Sequence, residues 1–256
     1  MSILTEAQKE QFHTDGFCIL ENVVPDAMLR LLRDECATFI RLKDEEMDRA
    51  GTDTLGISHR GSRYFVSNCH LVRPEINRFL HSDLMAGICR ETLGPDAYMF
   101  YNQYVVKGAE AGMKFSWHQD SGYVNANGGD IHHRPYLTTW TPLDDVTEAN
   151  GTIYVLPQSE LGIRTWVRHE KDPASNDWVG YFGAERGVPV IIPAGSMAIF
   201  SSMTFHCSGA NRTNAMRRVF LAQYSPEPIL RNDGSIWANA VPVLKDGKPV
   251  REPVVA

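Results

Sequence analysis

The pattern of hydrophobic and polar positions divides the chain into a helical first third and a strand-rich remainder. From Pro25 onwards, apolar residues recur every three or four positions, which predicts a helix, and further helices are expected over 5–14 and 80–93. After Gly94, short apolar runs alternate with Gly, Pro and Asn, which is typical of strands. The predicted strands span 17–20, 97–107, 115–120, 136–141, 151–156, 188–192, 196–200, 204–207 and 218–224.

This order of elements predicts a mainly β protein with flanking α-helices. Short strands separated by turns favour a double-stranded β-helix, the jelly-roll or cupin-like barrel. No linker or low-complexity block interrupts residues 1–256, so we expect a single domain. Two polar segments break the pattern: 44–63 is expected to be a loop, and 167–187 an insertion at the mouth of the barrel. We expect 59–63 and the insertion to be mobile until ligands bind.

The composition argues against some classes of partner. The formal net charge is −6 and no basic run is present, which disfavours a surface for nucleic acid or anionic membrane, and no apolar run is long enough to span a bilayer. Five scattered cysteines without CxxC spacing, and an N-terminus without a signal-peptide pattern, favour a reduced, cytoplasmic protein. We expect a monomer or homodimer that acts on a small molecule.

Candidate chemistry concentrates in the strand-rich part. His118 and Asp120 are two positions apart, so on a strand their side chains project to the same face, and His206 on a later strand can join them. Two histidines and one carboxylate leave open coordination positions on a metal, as in non-haem Fe(II) oxygenases. Arg217 follows on the next strand. Facing inward, it needs an anionic partner, and the dicarboxylate 2-oxoglutarate would supply one through a bidentate pair.

In these residues the chain resembles the phytanoyl-CoA dioxygenase family of Fe(II)/2-oxoglutarate oxygenases. That family carries an HxD motif, a distal His, a small polar residue and then an Arg, which match His118, Asp120, His206, Ser208 and Arg217. The resemblance implies a metal site of ferrous iron and the use of 2-oxoglutarate and O2, with Ser208 and Arg217 binding the co-substrate. Further co-substrate contacts that it suggests are Gln103, Gln119 and Trp140.

The carboxylate of Asp120 bears on the type of reaction. Related oxygenases that act as halogenases replace this carboxylate with a small residue, which admits chloride. Its presence therefore favours hydroxylation of an unactivated C–H bond, with release of succinate and CO2. Desaturation, ring closure and epoxidation use the same oxidant and stay open.

Substrate contacts are predicted at charged and aromatic residues near the site or on flanking segments. The candidates are His59, Arg60, Arg63, Tyr123, His133 and Trp237. A charged run is more often an ordinary solvated surface than a binding site. Taken together, these residues suggest a substrate that carries an acidic or polar group.

Two other functions fit the same three ligands. A zinc-dependent hydrolase or lyase would use them to activate water, but Arg217 would then lack a role, and no general base is obviously placed nearby. A non-catalytic metal-binding barrel would keep the ligands without turnover. Consumption of O2 that depends on the keto acid and ferrous iron separates the three functions.

Overall fold

In the computed structural model, which describes residues 2–109, 113–173 and 177–251, helices flank two antiparallel β-sheets. The helices are α1 (Glu6–Asp15), α2 (Asp26–Ala50), α3 (Asn77–Leu80), α4 (Asp83–Thr92), α5 (Asp120–Ala126) and α6 (Gln158–Leu161), with short 3-10 helices at Cys69–Leu71 and Pro74–Ile76. The strands are β1 (Phe17–Leu20), β2 (Thr54–Leu55), β3 (Ser58–His59), β4 (Arg63–Ser67), β5 (Ala97–Lys107), β6 (Phe115–His118), β7 (Leu137–Pro142), β8 (Ile153–Val155), β9 (Glu170–Lys171), β10 (Trp178–Val179), β11 (Val188–Pro189), β12 (Met197–Ser201), β13 (His206–Ser208), β14 (Arg217–Ser225), β15 (Val241–Lys245) and β16 (Lys248–Pro249).

Two sheets carry most of the strands. The larger runs β1-β12-β7-β14-β5-β4-β3-β2, with β15 and β16 added beside β5, and the smaller runs β11-β8-β13-β6. Their inner faces pack together, because Trp140 of β7 and Val219 of β14 share a buried cluster with Val155 of β8. Within the described ranges the two sheets share no strand, so hydrogen bonds do not close the barrel. A mainly β jelly roll with flanking helices, as the sequence predicts, is confirmed.

The two faces of the larger sheet are buried against different partners. On β5, Tyr104 faces the helices and packs in one core with Phe39 of α2. Gln103 and Lys107 alternate with it and therefore face the smaller sheet. Lys107 reaches that sheet directly, since its Nζ donates to Ser208 Oγ of β13 at 2.8 Å. The outer face thus builds the core, and the inner face holds polar groups.

The first helix begins with a capping box. Thr5 Oγ1 accepts from the backbone N–H of Gln8, and Gln8 Oε1 accepts from the backbone N–H of Thr5 at 2.9 Å. The helix ends at Gly16, whose φ of 77° is a left-handed conformation that glycine adopts readily. Strand β1 follows at once and pairs with β12 at the edge of the larger sheet. The predicted helix over 5–14 and the strand over 17–20 are both confirmed.

The predicted loop over 44–63 is wrong. Helix α2 continues to Ala50, because fully buried Met47 extends its apolar stripe and Arg41 pairs with Glu45 one turn on at 2.6 Å. After it, β2 and β3 form a small hairpin that continues into β4. The insertion at 167–187 contains the short pair β9 and β10, and its residues 174–176 lie outside the described residues.

The described part of the chain has no helix that is both long and apolar enough to cross a membrane. All five cysteines fall in this part and are free thiols, four of them buried and Cys207 half-buried. Burial raises the pKa of Cys18 and of Cys36 to about 12. These thiols therefore behave as small apolar core residues.

Candidate metal centre and co-substrate pocket

His118 and Asp120 lie where a strand turns into a helix. The sequence places both on one strand, but β6 ends at His118, and Asp120 is the first residue of α5. The prediction of a strand to residue 120 is wrong, because Gln119 is already the N-cap of that helix. The two side chains still converge, with His118 Nε2 3.9 Å from Asp120 Oδ1.

His206 completes the cluster from the neighbouring strand. Strand β13 pairs with β6, and their register places His206 directly opposite His118. His206 Nε2 lies 3.6 Å from Asp120 Oδ1, and one ligand atom of each residue lies within 4.8 Å of the others. The strand pairing brings together residues that are far apart in the chain. Two imidazoles and one carboxylate at these distances form a set that can hold one metal ion.

The backbone orients both imidazoles. His118 Nδ1 lies 2.8 Å from the carbonyl of Ser116, and His206 Nδ1 lies 3.3 Å from the carbonyl of Thr204. A ring that donates from Nδ1 to a carbonyl leaves the Nε2 lone pair for a metal. Burial lowers the pKa of His118 to about 4, so its ring is neutral at physiological pH. A neutral imidazole is the form that binds metal.

Two polar side chains orient the carboxylate, and sequence reasoning missed both. Thr138 Oγ1 donates to Asp120 Oδ2 at 2.5 Å, and Gln223 Nε2 donates to the same oxygen at 3.0 Å. Oδ1 is the oxygen that faces the histidines. A signal was present, since Thr138 and Gln223 are polar residues inside apolar strands, and a polar side chain that is buried there needs a partner.

Arg217 is a buried cation with unused hydrogen-bond donors. It is 1% exposed, and its Nη2 donates to the carbonyl of Gly151 at 3.1 Å. Its Nε and Nη1 are buried without a partner among the described residues. Burial lowers its pKa to about 10, which still leaves a charged guanidinium at pH 7. An anion with two oxygens would satisfy these donors, which is the fit expected for a carboxylate of 2-oxoglutarate.

Lys107 is a second buried basic side chain beside Arg217, and sequence reasoning missed it. The two residues are directly opposite on β5 and β14. Lys107 Nζ donates to Ser208 Oγ at 2.8 Å and to the carbonyl of Gly209. Burial, followed by repulsion from Arg217, lowers its pKa to about 6. The available signal was a lysine at the end of a predicted strand, but only the strand register of the fold places it beside Arg217. Arg217, Lys107 and Ser208 form one cluster on the inner face.

The other three residues predicted to contact the co-substrate differ in their surroundings. Trp140 lies beside Arg217, with the guanidinium carbon 5.8 Å from the ring centroid. Gln103 lies on the same face of β5 as Lys107, is half-buried, and donates to the exposed Ser67 Oγ at 2.9 Å. The Gln119 amide is occupied by three backbone groups, the carbonyls of residues 165 and 203 and the N–H of residue 167. It therefore braces the backbone, which gives no support to a co-substrate contact, and that role stays a prediction.

Three of the predicted substrate residues lie around the pocket. Arg63 is opposite Lys107 on β4, and its Nη2 lies 3.1 Å from His59 Nε2. The Arg63 Nε is buried without a partner among the described residues. The Tyr123 ring meets the His118 ring edge to face at 5.1 Å between centroids. Arg63 and His59 thus lie beside Lys107 of the Arg217 cluster, and Tyr123 lies beside the metal-ligand candidate His118.

The remaining three predicted substrate residues have structural roles. Arg60 Nε donates to Asp53 at 2.7 Å and its Nη2 to Asp48 at 2.6 Å, so its charge is neutralised at the surface. His133 Nδ1 lies 2.8 Å from the carbonyl of the next residue. Trp237 Nε1 donates to the carbonyl of residue 127 at 3.0 Å, and its ring packs on Phe100. The contacts of Arg60 and Trp237 give no support to a substrate role, whereas His133 stays a predicted substrate residue, because its Nε2 is buried without a partner among the described residues.

The comparison with protein families agrees with this arrangement. The family model "Phytanoyl-CoA dioxygenase (PhyH)" matches residues 12–219, a range that contains the three clustered ligands, Ser208 and Arg217. The chain belongs to the PhyH family. The family predicted from the sequence is thereby confirmed, and with it the class of Fe(II)- and 2-oxoglutarate-dependent dioxygenases. Zinc-dependent hydrolysis, the competing prediction, gains no support from this match.

Individual relatives of this PhyH protein are distant but cover most of its length. It is 25% identical over 235 residues to L-proline trans-4-hydroxylase of Streptomyces griseoviridis, which covers 83% of each chain. It is 21% identical to the peroxisomal phytanoyl-CoA dioxygenase of Homo sapiens, over 88% of this chain and 69% of that one. Among solved structures, EctD from S. alaskensis with 2-oxoglutarate and 5-hydroxyectoine has a TM-score of 0.69, at 21% identity, over 88% of this chain and 77% of that one. That likeness shows the shared fold.

Proposed function

We propose that this PhyH protein hydroxylates a C–H bond of a small metabolite, with oxidative decarboxylation of 2-oxoglutarate to succinate and CO2. The proposal rests on two features that occur together in the structure. One is the triad of His118, Asp120 and His206, and the other is Arg217, which is fully buried with two unused donors. A metal-activated hydrolase would have no use for the second feature.

The triad has the donor set for ferrous iron. Two imidazoles and one carboxylate would hold the ion and would leave room for the keto acid and O2 to bind it. Bound iron would supply the redox chemistry that couples decarboxylation of the keto acid to oxidation of the substrate. The chain itself fixes the ligands, through the carbonyls behind both imidazoles and through Thr138 and Gln223 at the carboxylate.

Arg217 and Lys107 would hold the far carboxylate of 2-oxoglutarate. Burial and the neighbouring charge of Arg217 lower the pKa of Lys107 to about 6, and a dianionic ligand would favour the charged form of this lysine. Ser208 Oγ already accepts from Lys107 and can donate its own proton to the carboxylate. Trp140 forms a flat wall beside the guanidinium. Held in this way, the molecule would point its keto end towards the triad.

The substrate is proposed to carry an acidic or polar group that Arg63 recognises. Arg63, Lys107 and Arg217 are in register across β4, β5 and β14, and Arg63 is the member of this row that is half-exposed. Burial lowers the pKa of Arg63, yet its Nε is unpaired among the described residues. One relative's name, L-proline trans-4-hydroxylase, also points to a small amino acid substrate in this family.

The direct test of the function is succinate formation in a library of small metabolites with ferrous iron, 2-oxoglutarate and O2. Stoichiometric succinate and hydroxylated product from one metabolite is the expected result. Zinc-dependent hydrolysis of a library member without O2 would contradict the proposal. The substrate class is tested by Arg63→Met, which should raise KM for an acidic substrate, beside Arg60→Met, which should not, because Asp48 and Asp53 already neutralise Arg60.

We further propose that residues 1–256 act as one domain in the cytoplasm, as a monomer or homodimer and without nucleic acid. The net charge of −6 and the five free thiols support this setting. Light scattering of the purified protein, with and without duplex DNA, tests the assembly state. A higher oligomer or a stable DNA complex would contradict it.

A further inference from the structure

His169 lies near the start of the 167–187 insertion and contacts the backbone between two of the triad residues. Its Nδ1 lies 2.8 Å from the carbonyl of Val167, and its Nε2 accepts from the backbone N–H of Gln119 at 2.9 Å. The side chain is 7% exposed. Burial lowers its pKa, which favours the neutral ring that donates at Nδ1 and accepts at Nε2.

Two glycines leave room for this ring. A Cβ on Gly122 of α5, or on Gly180 just after β10, would lie 2.5 Å from His169 Nε2, so a larger residue at either position would displace the ring. Gly180 also donates its N–H to the carbonyl of Trp117 at 2.9 Å. Both described halves of the insertion are therefore bonded to the backbone around His118.

The side chain of Gln119 strengthens the same connection. Its Nε2 donates to the carbonyl of Thr165 at 2.9 Å and to the carbonyl of Met203 at 2.7 Å, and its Oε1 accepts from the N–H of Val167 at 3.0 Å. Met203 lies in the turn that leads to His206. Gln119 thus joins the segment before the insertion, the insertion itself and the approach to β13.

We propose that His169 is a positioning residue of the metal centre, which holds the peptide between His118 and Asp120 from the insertion. The chain changes from strand to helix at Gln119, so the distance between the two ligand atoms depends on the backbone conformation there. A hydrogen bond to the Gln119 N–H restrains that conformation. This inference rests on the proposed function, because it takes His118 and Asp120 to hold a metal. It makes the start of the insertion part of the metal centre.

Two amide variants of His169 test the role of the Nε2 hydrogen bond. The oxygen of His169→Gln can reach the position of Nε2 and accept from Gln119, whereas the shorter His169→Asn retains only a group near Nδ1. Co(II) binding to the metal-free protein, followed by visible absorption, should weaken about ten- to a hundredfold in His169→Asn, the usual effect of losing a partner behind the ligands. His169→Gln should restore most of the affinity and the wild-type spectrum.

The matched control is His81→Asn. His81 follows α3 directly and is as buried as His169, at 5% exposed. Its Nδ1, however, contacts the carbonyl of Val250. This variant should lose thermal stability while binding Co(II) as the wild type does. Unchanged Co(II) affinity in His169→Asn, or an equal loss in His169→Asn and His169→Gln, would overturn the proposal and indicate packing alone. Wild-type protein that binds neither Co(II) nor Fe(II) would instead contradict the proposed function.

Discussion

Arg217 and Arg218 are neighbours on β14, and they face opposite sides of the larger sheet. Arg218 forms a bidentate pair with Asp144, with its Nε 3.0 Å and its Nη2 2.6 Å from the two carboxylate oxygens. Arg217 faces inward, is fully buried, and has no acidic partner in the hydrogen bonds of the described ranges. One arginine is satisfied by the protein, and the other retains donors for a ligand.

This difference separates stabilising charges from functional ones. A buried donor without a partner lowers stability by about 1–3 kcal/mol, and Arg217 combines two such donor atoms, unpaired among the described residues, with a positive charge. On the outer face of the larger sheet, the Arg218–Asp144 pair follows the first pattern. The inner face follows the second. Substitutions on the two faces should therefore change different properties.

The largest effect is expected at the triad. His206→Ala, and equally His118→Ala or Asp120→Ala, should abolish turnover and iron retention, because a site with two protein ligands holds iron weakly. Cys207→Ala on the same strand is the control and should keep both properties, since Cys207 points away from the cluster. Iron content and succinate formation check this. Full activity in any two of the ligand variants would contradict the assignment of the metal site.

Substitutions of Arg217 and Arg218 should differ almost as strongly in their effects. Arg217→Ala removes a charge-assisted pair with 2-oxoglutarate worth about 2–5 kcal/mol, and should raise the concentration of co-substrate required by about thirty-fold to several thousand-fold. Arg217→Lys should recover part of this, because a point charge cannot reproduce the fork. Arg218→Ala should lower the melting temperature and leave the co-substrate requirement nearly unchanged. Titration with 2-oxoglutarate distinguishes them, and the reverse result would mean that the two faces are assigned wrongly.

A smaller, pH-dependent effect is expected from Lys107. Its folded pKa of about 6 lies below that of a free lysine, so between these values the unfolded chain binds more protons and the stability of the unliganded protein should rise with pH. A dianionic co-substrate favours the charged form, so binding should take up a proton above pH 6. Affinity for 2-oxoglutarate should then fall by at most about tenfold per pH unit. Calorimetry in buffers of different ionisation enthalpy measures the proton uptake, which Lys107→Met should remove.

The smallest effect concerns space on α5. Alanine in place of glycine normally stabilises a helix by about 1 kcal/mol, but in Gly122→Ala the new methyl group meets the His169 ring. We expect Gly122→Ala to lower the stability of the otherwise wild-type protein. In a protein that also carries His169→Ala, the same substitution should raise the stability. Thermal unfolding of the four proteins gives the sign in each background. If Gly122→Ala changes the melting temperature in the same direction in both backgrounds, the His169 ring does not press on α5.

The sequence predicted what depends on local alternation. Strand β5 and strand β1 were predicted at their observed bounds, because their residue types and flanking turns indicate a strand without help from the rest of the fold. The strand-to-helix change at Gln119 was missed, since HxD alternation looks the same whether or not the next residue starts a helix. The three-residue cluster was nevertheless predicted, because chemistry restricts which residues can share a metal.

Local sequence patterns could not predict the contacts that arise from strand pairing. Lys107 becomes a neighbour of Arg217 only through the register of β5 with β14. Gln223 lies opposite Thr138 through the register of β14 with β7, and both side chains donate to Asp120. The role of His169 could not be predicted for the same reason. Its partner, the Gln119 N–H, is a backbone group that no side-chain pattern reveals.

The half-buried thiol of Cys207 bears on how long such a protein survives its own chemistry. Burial raises the pKa of Cys207 to about 12, so nearly all of this sulfur is protonated at neutral pH. Peroxides attack the thiolate form, and a thiol next to a metal-ligand position is exposed to whatever escapes when O2 is consumed without substrate. Because this sulfur stays protonated at neutral pH, its oxidation during O2 consumption without substrate should be slow. The protein should therefore lose activity faster at alkaline pH, where the thiolate fraction increases.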